Sequence, residues 1–375
     1  MKITAIDVHE LRVPGWTGES FDGSYDNCVV VVETEDGLTG LAETDSVPSV
    51  IRAIIDARPS HRHAMGLRAA LDGVDVSDPI AAWERMYDCT HYYGRRGAVI
   101  HAISAIDIAL WDLKGKREGT SVARLLGAAE RRRVLAYGTI YPLGDSEDEL
   151  RRNIDRGLAL GLRALKICAE PHWKDDFDQA ERLIRAARAH LGAGFPLMID
   201  AAAAWNRPED GLPLMPLFRE LDFHWVEAPL PVDDVAGHRR FQGFGVPIGG
   251  GDLGLTTRYE FGQMLEQGAI DIAQPDVTMV GGLTELMRVA RQAWSLGRRV
   301  VPHGYKSGIT IAANLAFLSQ GPREEFCEYS TSRSPLRWDL TNEAFTIEAD
   351  GRITVPDAPG LGVSLNRETV RRFAL

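Results

Sequence analysis

The sequence predicts an α/β protein in which an α+β domain precedes a closed (β/α)8 barrel of the TIM type. From about residue 134 onward, short apolar runs alternate with helical stretches at the spacing of one βα unit. Eight such runs occur: VLAYGTI, ALKICA, PLMIDAA, WVEAP, PIGGGD, DIAQPDV, RVVPHG and EEFCEYS. This alternation indicates a parallel sheet, and eight units indicate closure into a barrel. A doubly wound sheet is disfavoured because no GxGxxG follows the first strand.

The N-terminal third of the chain combines strand and helix patterns. The opening residues, MKITAIDVHELRVP, alternate apolar and polar as a strand does. Asp36 and Gly37 separate two further apolar runs, and Asp-Gly in that position is a strong signal for a β-hairpin. Helical spacing follows, most clearly from residue 98 to about 116, through Ile103, Ile106, Leu110 and Leu113.

These patterns divide the chain into two domains. We expect an α+β domain over residues 1–130 and the barrel over residues 131–344. A tail over about 345–375 reads as strand, turn and strand again, and we expect it to return to the N-terminal domain. Active sites of such barrels lie at the C-terminal ends of the strands, so the functional residues should be found there.

Composition excludes several classes of partner. The chain has 375 residues and a net charge of −11, which argues against nucleic acid and anionic membranes as partners. No stretch approaches 18 uncharged apolar residues, and the opening residues lack the apolar core of a signal peptide. The four cysteines are scattered, without a CxxC pair. We therefore expect a reduced, cytoplasmic protein.

Three carboxylates end three successive strands of the predicted barrel. Asp200 ends the third strand, Glu227 the fourth and Asp252 the fifth. Each residue alone could be a helix cap or an ion-pair partner. Together in one barrel mouth they would repel one another unless a cation lies between them. Ligation by oxygen alone favours a hard ion, so we expect Mg²⁺.

Strand two contributes Lys166 and Cys168, which face the same side of the strand. We expect Lys166 at the mouth of the pocket beside the bound substrate, where a neighbouring cation would lower its pKa and suit it to electrophilic or base work. The alternative is a surface lysine that binds its own helix. Cys168 is either a thiol that ionises near the metal or a small apolar filler.

Strands six to eight end in Asp276, His303 and Glu328. An Asp and a His on adjacent strand ends can form a hydrogen-bonded dyad. The Asp fixes the tautomer and raises the basicity of the His, which makes it a general base or acid near neutral pH. The alternative is a structural histidine. Glu328 is a candidate hydrogen-bonding group near the reacting carboxylate.

Several segments resemble the enolase superfamily and, within it, the mandelate racemase group. The run SAIDIALWDLKGK at 104–116 is similar to that family's capping-domain helix. WVEAP at 225–229 is similar to its strand-four motif, and IAQPD at 272–276 with GGLTE at 281–285 to its strand-six signature. The likeness covers nearly the whole chain and implies a modified (β/α)8 barrel with an N-terminal α+β capping domain.

The resemblance also implies roles for the candidate residues. The implied Mg²⁺ ligands are Asp200, Glu227 and Asp252, and the implied catalytic residues are His303, Asp276, Lys166 and Glu328. Lys166 matches the first lysine of the group's Lys-x-Lys motif. The resemblance further implies a homo-oligomer, a dimer or an octamer, that acts on a small-molecule carboxylate.

Three departures from the group's pattern bear on the reaction. Cys168 replaces the second lysine of Lys-x-Lys, Asp252 stands where the group usually has Glu, and Ala202 stands where Asn is frequent. Racemisation needs a base on each face of the enediolate, and Cys168 removes the obvious second base. We therefore expect a dehydratase: His303 removes the C2 proton of a sugar acid, Mg²⁺ and Lys166 stabilise the enediolate, and the 3-hydroxyl leaves to give a 2-keto-3-deoxy acid.

Other functions stay open. A racemase or epimerase of a hydroxy acid is the alternative within enzymes, and a degenerate barrel that only binds a ligand is the alternative outside them. A muconate-type cycloisomerase is disfavoured, because that group uses a lysine on strand six, where this chain has Asp276. Trp16, Phe21 and Tyr25, with the stretch HYYGRR at 91–96, are candidates to contact substrate or to pack the domain interface.

Overall fold

The N-terminal part of the chain begins with an antiparallel sheet in the order β1-β2-β3. Its strands are Ile3–Arg12, Asp26–Thr34 and Thr39–Thr44. The computed structural model describes residues 1–18, 22–127, 131–141, 143–201 and 204–375. The predicted hairpin joins β2 to β3. Gly37 lies in its turn at φ +77°, a backbone angle that L side chains rarely adopt.

Five helices follow this sheet. They are α1 (Pro48–Asp56), α2 (Leu67–Leu71), α3 (Pro79–Thr90), α4 (Ala98–Glu118) and α5 (Val122–Leu126). The predicted central helix is α4, which is buried along most of its length. Its Asp112 accepts hydrogen bonds from Leu41 N at 2.9 Å and Leu361 N at 2.8 Å, so α4 connects the sheet to the C-terminal tail.

Eight parallel strands then curl into the barrel. They are β4 (Arg133–Ile140), β5 (Leu165–Cys168), β6 (Leu197–Asp200), β7 (Val226–Glu227), β8 (Ile248–Gly250), β9 (Ile272–Ala273), β10 (Arg299–Val300) and β11 (Phe326–Ser330). Their hydrogen-bonded order is β11-β4-β5-β6-β7-β8-β9-β10, which confirms the predicted succession. Over the described residues, side chains rather than a backbone ladder join β10 to β11, through Arg299 and Glu325 at 2.7 Å.

Helices alternate with these strands, and a tail closes the chain. The helices are α6 (Glu147–Ala159), α7 (Phe177–Leu191), α8 (Pro208–Gly211), α9 (Met215–Glu220), α10 (Val235–Arg240), α11 (Thr257–Glu266), α12 (Gly282–Ser295), α13 (Gly308–Leu318) and α14 (Pro335–Asp339). The tail contains β12 (Arg352–Thr354) and α15 (Arg367–Phe373). None of the described helices is both long and apolar enough to cross a membrane.

The tail contacts both parts of the chain. β12 pairs antiparallel with β4 of the barrel, whereas Leu375 N donates a hydrogen bond to Glu10 O of β1 at 3.0 Å. The tail therefore contacts the barrel before it contacts β1, and its last element is the helix α15 where the sequence predicted a second strand. The domain division at residues 130 and 344 stays a prediction.

Strand alternation arranges the inside of the barrel in two layers. The lower layer is an apolar cluster of Tyr137, Ala164, Met198, Trp225, Ile272, Val301 and Phe326. Side chains two residues further along a strand face the same side. They form an upper, polar layer of Thr139, Lys166, Asp200, Glu227, Gln274, His303 and Glu328. A packed floor therefore lies beneath the ionisable groups.

Two barrel helices begin against carboxylates of the N-terminal domain. Asp107 of α4 accepts hydrogen bonds from the N–H and hydroxyl of Thr284, in the first turn of α12, at 2.9 and 2.6 Å. Glu43 of β3 accepts four more from Ser307 and Thr310 at the start of α13, at 2.7 to 3.1 Å. The first N–H groups of a helix have no partner within the helix, so these hydrogen bonds satisfy them and hold the N-terminal domain against the barrel.

We expect Gly282→Ala to destabilise the protein more than Gly37→Ala. Both glycines have φ +77°, so alanine costs similar backbone strain at each, about 1 kcal/mol. At Gly282 the new Cβ would also lie 2.3 Å from Asp107 Oδ2, whereas at Gly37 it would meet nothing within 4 Å. Urea unfolding should give G282A a free energy of unfolding lower than that of G37A by roughly 1–3 kcal/mol. Equal values would contradict the close packing at this interface.

Candidate active site and metal centre

The carboxylates of Asp200, Glu227 and Asp252 meet in the barrel mouth. Asp200 and Glu227 are paired in register at the ends of β6 and β7, and Asp252 follows β8. One oxygen from each residue lies within 4.8 Å of one from each of the others. All three side chains are buried. The structure therefore brings together the three residues that the sequence singled out.

The positively charged side chains near these three carboxylates do not balance their negative charge. Burial, reinforced by Asp200, raises the pKa of Asp252 to about 6, and burial raises the pKa of Glu227 to about 8 although Lys166 opposes the rise. Asp252 Oδ1 is buried and has no hydrogen-bond partner among the described residues. An acceptor in that state costs free energy unless a cation binds it. Carboxylate oxygens with one left unpartnered fit Mg²⁺.

Lys166 lies deeper than the sequence suggested. It was expected at the pocket mouth, but it is fully buried and the residues that line the cavity do not include it. Its Nζ contacts Glu227 and lies 3.0 Å from Asp200 and 3.2 Å from Glu328. Burial acts to lower the pKa of Lys166, but these three carboxylates raise it well above its usual value. The predicted lowering was attributed to a neighbouring cation, so it stays a prediction.

Two further side chains orient Glu227. Trp225 Nε1 donates a hydrogen bond to Glu227 Oε2 at 2.9 Å, and Gln274 Nε2 donates to the same oxygen. Both residues belong to motifs identified in the sequence, but no function was predicted for them. Strand alternation could have identified both residues, because Trp225 lies at an inward position just before β7 and Gln274 at one just after β9.

His303 and Asp276 form the expected hydrogen-bonded pair. His303 Nδ1 lies 2.7 Å from Asp276 Oδ2. The other oxygen of Asp276 accepts hydrogen bonds from the N–H and hydroxyl of Thr278 at 2.6 and 2.7 Å. Burial acts to lower the pKa of His303, but Glu328, Asp276 and Asp252 raise it well above its usual value.

Glu328 completes the charged cluster on the opposite side of His303. Its Oε2 lies 3.8 Å from His303 Nε2 and accepts a hydrogen bond from Gly304 N at 2.9 Å. Thr139 donates to its other oxygen. Burial alone would raise the pKa of Glu328, but Lys166, His303 and these hydrogen bonds lower it to about 2. Glu328 is therefore a carboxylate at neutral pH.

A cavity of about 400 Å³ opens above these groups. Asp200, Asp252, His303 and Glu328 line it, together with Cys168. Burial raises the pKa of the Cys168 thiol well above its usual value, with Asp200 adding to the effect. The lining also includes residues that the sequence reasoning missed: Asp45, Thr139, Tyr141, Leu253, Met279 and Tyr305.

The N-terminal domain reaches this cavity through Gly23 and Asp45. Both contact Lys306, a buried residue on the loop that follows β10. Lys306 Nζ donates hydrogen bonds to Gly23 O and, at 2.9 Å, to Asp26 O, and lies 3.0 Å from Asp45 Oδ1. We call this group the Lys306 clasp. It holds the N-terminal loop against the loop that carries His303.

The other residues predicted to contact substrate do not line the cavity where the structure describes them. Trp16 and Tyr25 stack on each other at 4.7 Å, outside the cavity lining. The stretch 91–96 also does not line the cavity, and Tyr92 in it is 77% exposed. Phe21 and Ala202 lie outside the described residues.

Two family models together match most of the chain. The family model described as "Enolase C-terminal domain-like" matches residues 149–369, and that of the "Mandelate racemase / muconate lactonizing enzyme, N-terminal domain" matches residues 15–127. The chain belongs to the mandelate racemase group of the enolase superfamily. The resemblance inferred from its sequence is therefore confirmed.

Relatives within the superfamily include two kinds of sugar-acid enzyme. A D-galactarolactone cycloisomerase of Agrobacterium fabrum is 32% identical over 100% of this chain and 99% of its own. An L-rhamnonate dehydratase of Saccharopolyspora erythraea is 33% identical over 92% of this chain and 84% of its own. The crystal structure of a racemase from Streptomyces coelicolor with bound magnesium superposes with a TM-score of 0.85 at 29% identity, over 100% of both chains.

We expect Asp252→Asn to weaken Mg²⁺ binding at least about tenfold, because the amide removes one negative charge from the cluster. Isothermal titration calorimetry with MgCl₂ on the metal-free protein measures the dissociation constant. Asp175→Asn, which makes the same charge change at a surface ion pair with Lys174, is the matched control and should bind as the wild type does. Unchanged affinity in D252N would show that the cluster is not the Mg²⁺ site.

Proposed function

We propose that this protein is a Mg²⁺-dependent enzyme that removes the proton next to the carboxylate of a sugar acid and then expels an oxygen substituent from the adjacent carbon. The observation that carries the proposal is the His303–Asp276 dyad, which lies on the same cavity as the clustered carboxylates. Abstraction of such a proton needs both a base and stabilisation of the charge that develops.

His303 is the proposed base. The carboxylate of Asp276 accepts the proton of Nδ1, so in the neutral form of His303 the lone pair of Nε2 can take a proton from substrate. Thr278 holds Asp276 in the orientation that this requires. The electron pair of the broken C–H bond becomes the C=C bond of an enediolate.

Asp200, Glu227 and Asp252 are the residues that would hold the metal. When bound, Mg²⁺ supplies positive charge that favours the negative charge developing on the substrate carboxylate. We assign Lys166 a positioning role, because it holds Asp200 and Glu227 from below and does not line the cavity. Glu328 lines the cavity and stays negative, so it favours the positive charge that His303 gains on taking the proton, and its hydrogen bond from Gly304 N holds the backbone beside His303.

Dehydration is the reaction that a cavity with one base favours. The enediolate electrons expel the hydroxyl of the adjacent carbon, which takes the proton from His303 and leaves as water. The enol that remains tautomerises to a 2-keto-3-deoxy acid. Racemisation would need a second base. Among the described residues that line the cavity, His303 is the one imidazole, and lysine is absent.

Ring opening of a lactone or anhydro sugar acid is the second candidate. It is supported by the cycloisomerase relative, with which this chain aligns over its full length. The proton abstraction is the same, but the group expelled is the ring oxygen. That oxygen stays attached to the molecule, so the product is an isomer of the substrate and no water is released.

We expect His303→Asn to abolish turnover of sugar acids. The purified protein is incubated with Mg²⁺ and a library of sugar acids and their lactones, and 2-keto-3-deoxy products are detected with semicarbazide. Activity should fall by at least about 10³-fold in H303N and disappear with EDTA. His190→Asn, at a surface ion pair with Asp155, is the matched control and should keep wild-type activity.

Three other results of this assay would contradict the proposed dehydration through the dyad. Exchange of the C2 proton with D₂O, without a keto product, would favour the racemase alternative. Neither exchange nor product from any acid would favour a barrel that only binds a ligand. Full activity in H303N would exclude the dyad as the base.

We expect Asp276→Asn to lower kcat by about 10²–10⁴-fold and to shift the pH profile. Asp276 is one of the charges that raise the pKa of His303, so its loss lowers that pKa. A base acts only when deprotonated. The rising limb of kcat/KM should therefore move to lower pH in the variant, measured with the best substrate between pH 5 and pH 10. A rising limb at unchanged pH would show that another group titrates.

A further inference from the structure

The charged residues that line the cavity affect whether a substrate with a second carboxylate can bind. Four acidic side chains line the cavity: Asp45, Asp200, Asp252 and Glu328. Neither lysine nor arginine occurs among the described lining residues. A carboxylate that binds away from the metal ligands would therefore find no permanent positive charge to pair with.

Asp45 provides the negative charge at the end contributed by the N-terminal domain. Its side chain is 26% exposed and lines the cavity. Its backbone N–H donates a hydrogen bond to Thr278 Oγ1 at 3.0 Å, so its position is tied to the residue that orients Asp276. The backbone of Asp45 is therefore held by Thr278, and its carboxylate is held by Lys306.

Lys306 offsets part of the charge of Asp45, but it is not placed to bind a ligand carboxylate directly. It is 3% exposed, and its ammonium is already engaged by Gly23 O, Asp26 O and Asp45. Hydroxyl groups of a substrate can find hydrogen-bond partners in the cavity. Thr139, Tyr141 and Tyr305 line it, and Asp45 can accept a hydrogen bond from a sugar hydroxyl. The cavity thus suits one carboxylate at the metal end and neutral hydroxyls elsewhere.

We propose that the site selects sugar acids with a single carboxylate over diacids, and that Asp45, held by the Lys306 clasp, is the specificity-determining residue. The inference rests on the proposed function, because it assumes that the first carboxylate binds at the metal centre. A second carboxylate on the substrate would approach Asp45, and two like charges in a partly buried site repel.

The test compares monoacids with the matching diacids. Catalytic efficiency is measured for aldonates and aldarates of the same sugar configuration. Binding of the same acids is measured by calorimetry in the H303N variant with Mg²⁺, which gives a readout independent of turnover. We expect the wild type to prefer the monoacid at least about tenfold in both measurements.

Asp45→Asn should reduce this preference about tenfold, mainly by improving binding of the diacid. Asp56→Asn makes the same charge change in the same domain, at a surface ion pair with Arg68, and should leave the preference unchanged. Should D45N fail to fold, the wild-type comparison still decides between the two substrate classes.

The outcomes separate the two proposals. Equal or better use of diacids by the wild type, or an unchanged preference in folded D45N, would overturn the selection by Asp45 and leave the proposed reaction intact. Failure to bind or turn over any monoacid or diacid would overturn the proposed function and this inference with it.

Discussion

Three buried carboxylates share one ammonium group in the mouth of this barrel, and a fourth carboxylate lies beside them. Lys166 contacts Asp200, Glu227 and Glu328, and Asp252 stands close to the first two without a partner of its own on Oδ1. Like charges packed this closely destabilise a fold unless a cation joins them. The raised pKa values of Asp252 and Glu227 report that imbalance. Binding of the proposed divalent ion would therefore be linked to folding of the mouth, since the ion would relieve a cost that the chain already bears.

The site could be located from sequence because a strand has a period of two. The apolar residues of each strand identify its inward face, and the polar residue two positions later must lie above them. Trp225 and Glu227 show this on β7, and Val301 and His303 show it at the end of β10. For this reason the eight strands, the carboxylate triad and the His303–Asp276 pair could all be predicted without coordinates.

The depth of a side chain in the barrel, and the direction of side chains on loops, could not be predicted in the same way. Periodicity gives the face of Lys166 but not how far its long side chain reaches, and the three carboxylates that draw it below the cavity come from other strands. Asp45 and Tyr305 lie on loops, where no period constrains the direction of a side chain. The stretch 91–96 has a composition suited to ligand binding, yet tertiary packing directs it away from the cavity.

Glu43 and Asp45 are neighbours at the end of β3, and each holds a different part of the chain segment 303–310. Glu43 caps helix α13, and Asp45 engages Lys306 a few residues earlier. The proposed base therefore sits on a segment whose far side is anchored by another domain. N-terminal domains can be exchanged between relatives by recombination or by design. Such an exchange would transfer substrate specificity only when the donor domain carries hydrogen-bond acceptors for Ser307, Thr310 and Lys306. Such chimeras should succeed or fail according to these few positions rather than according to overall sequence identity.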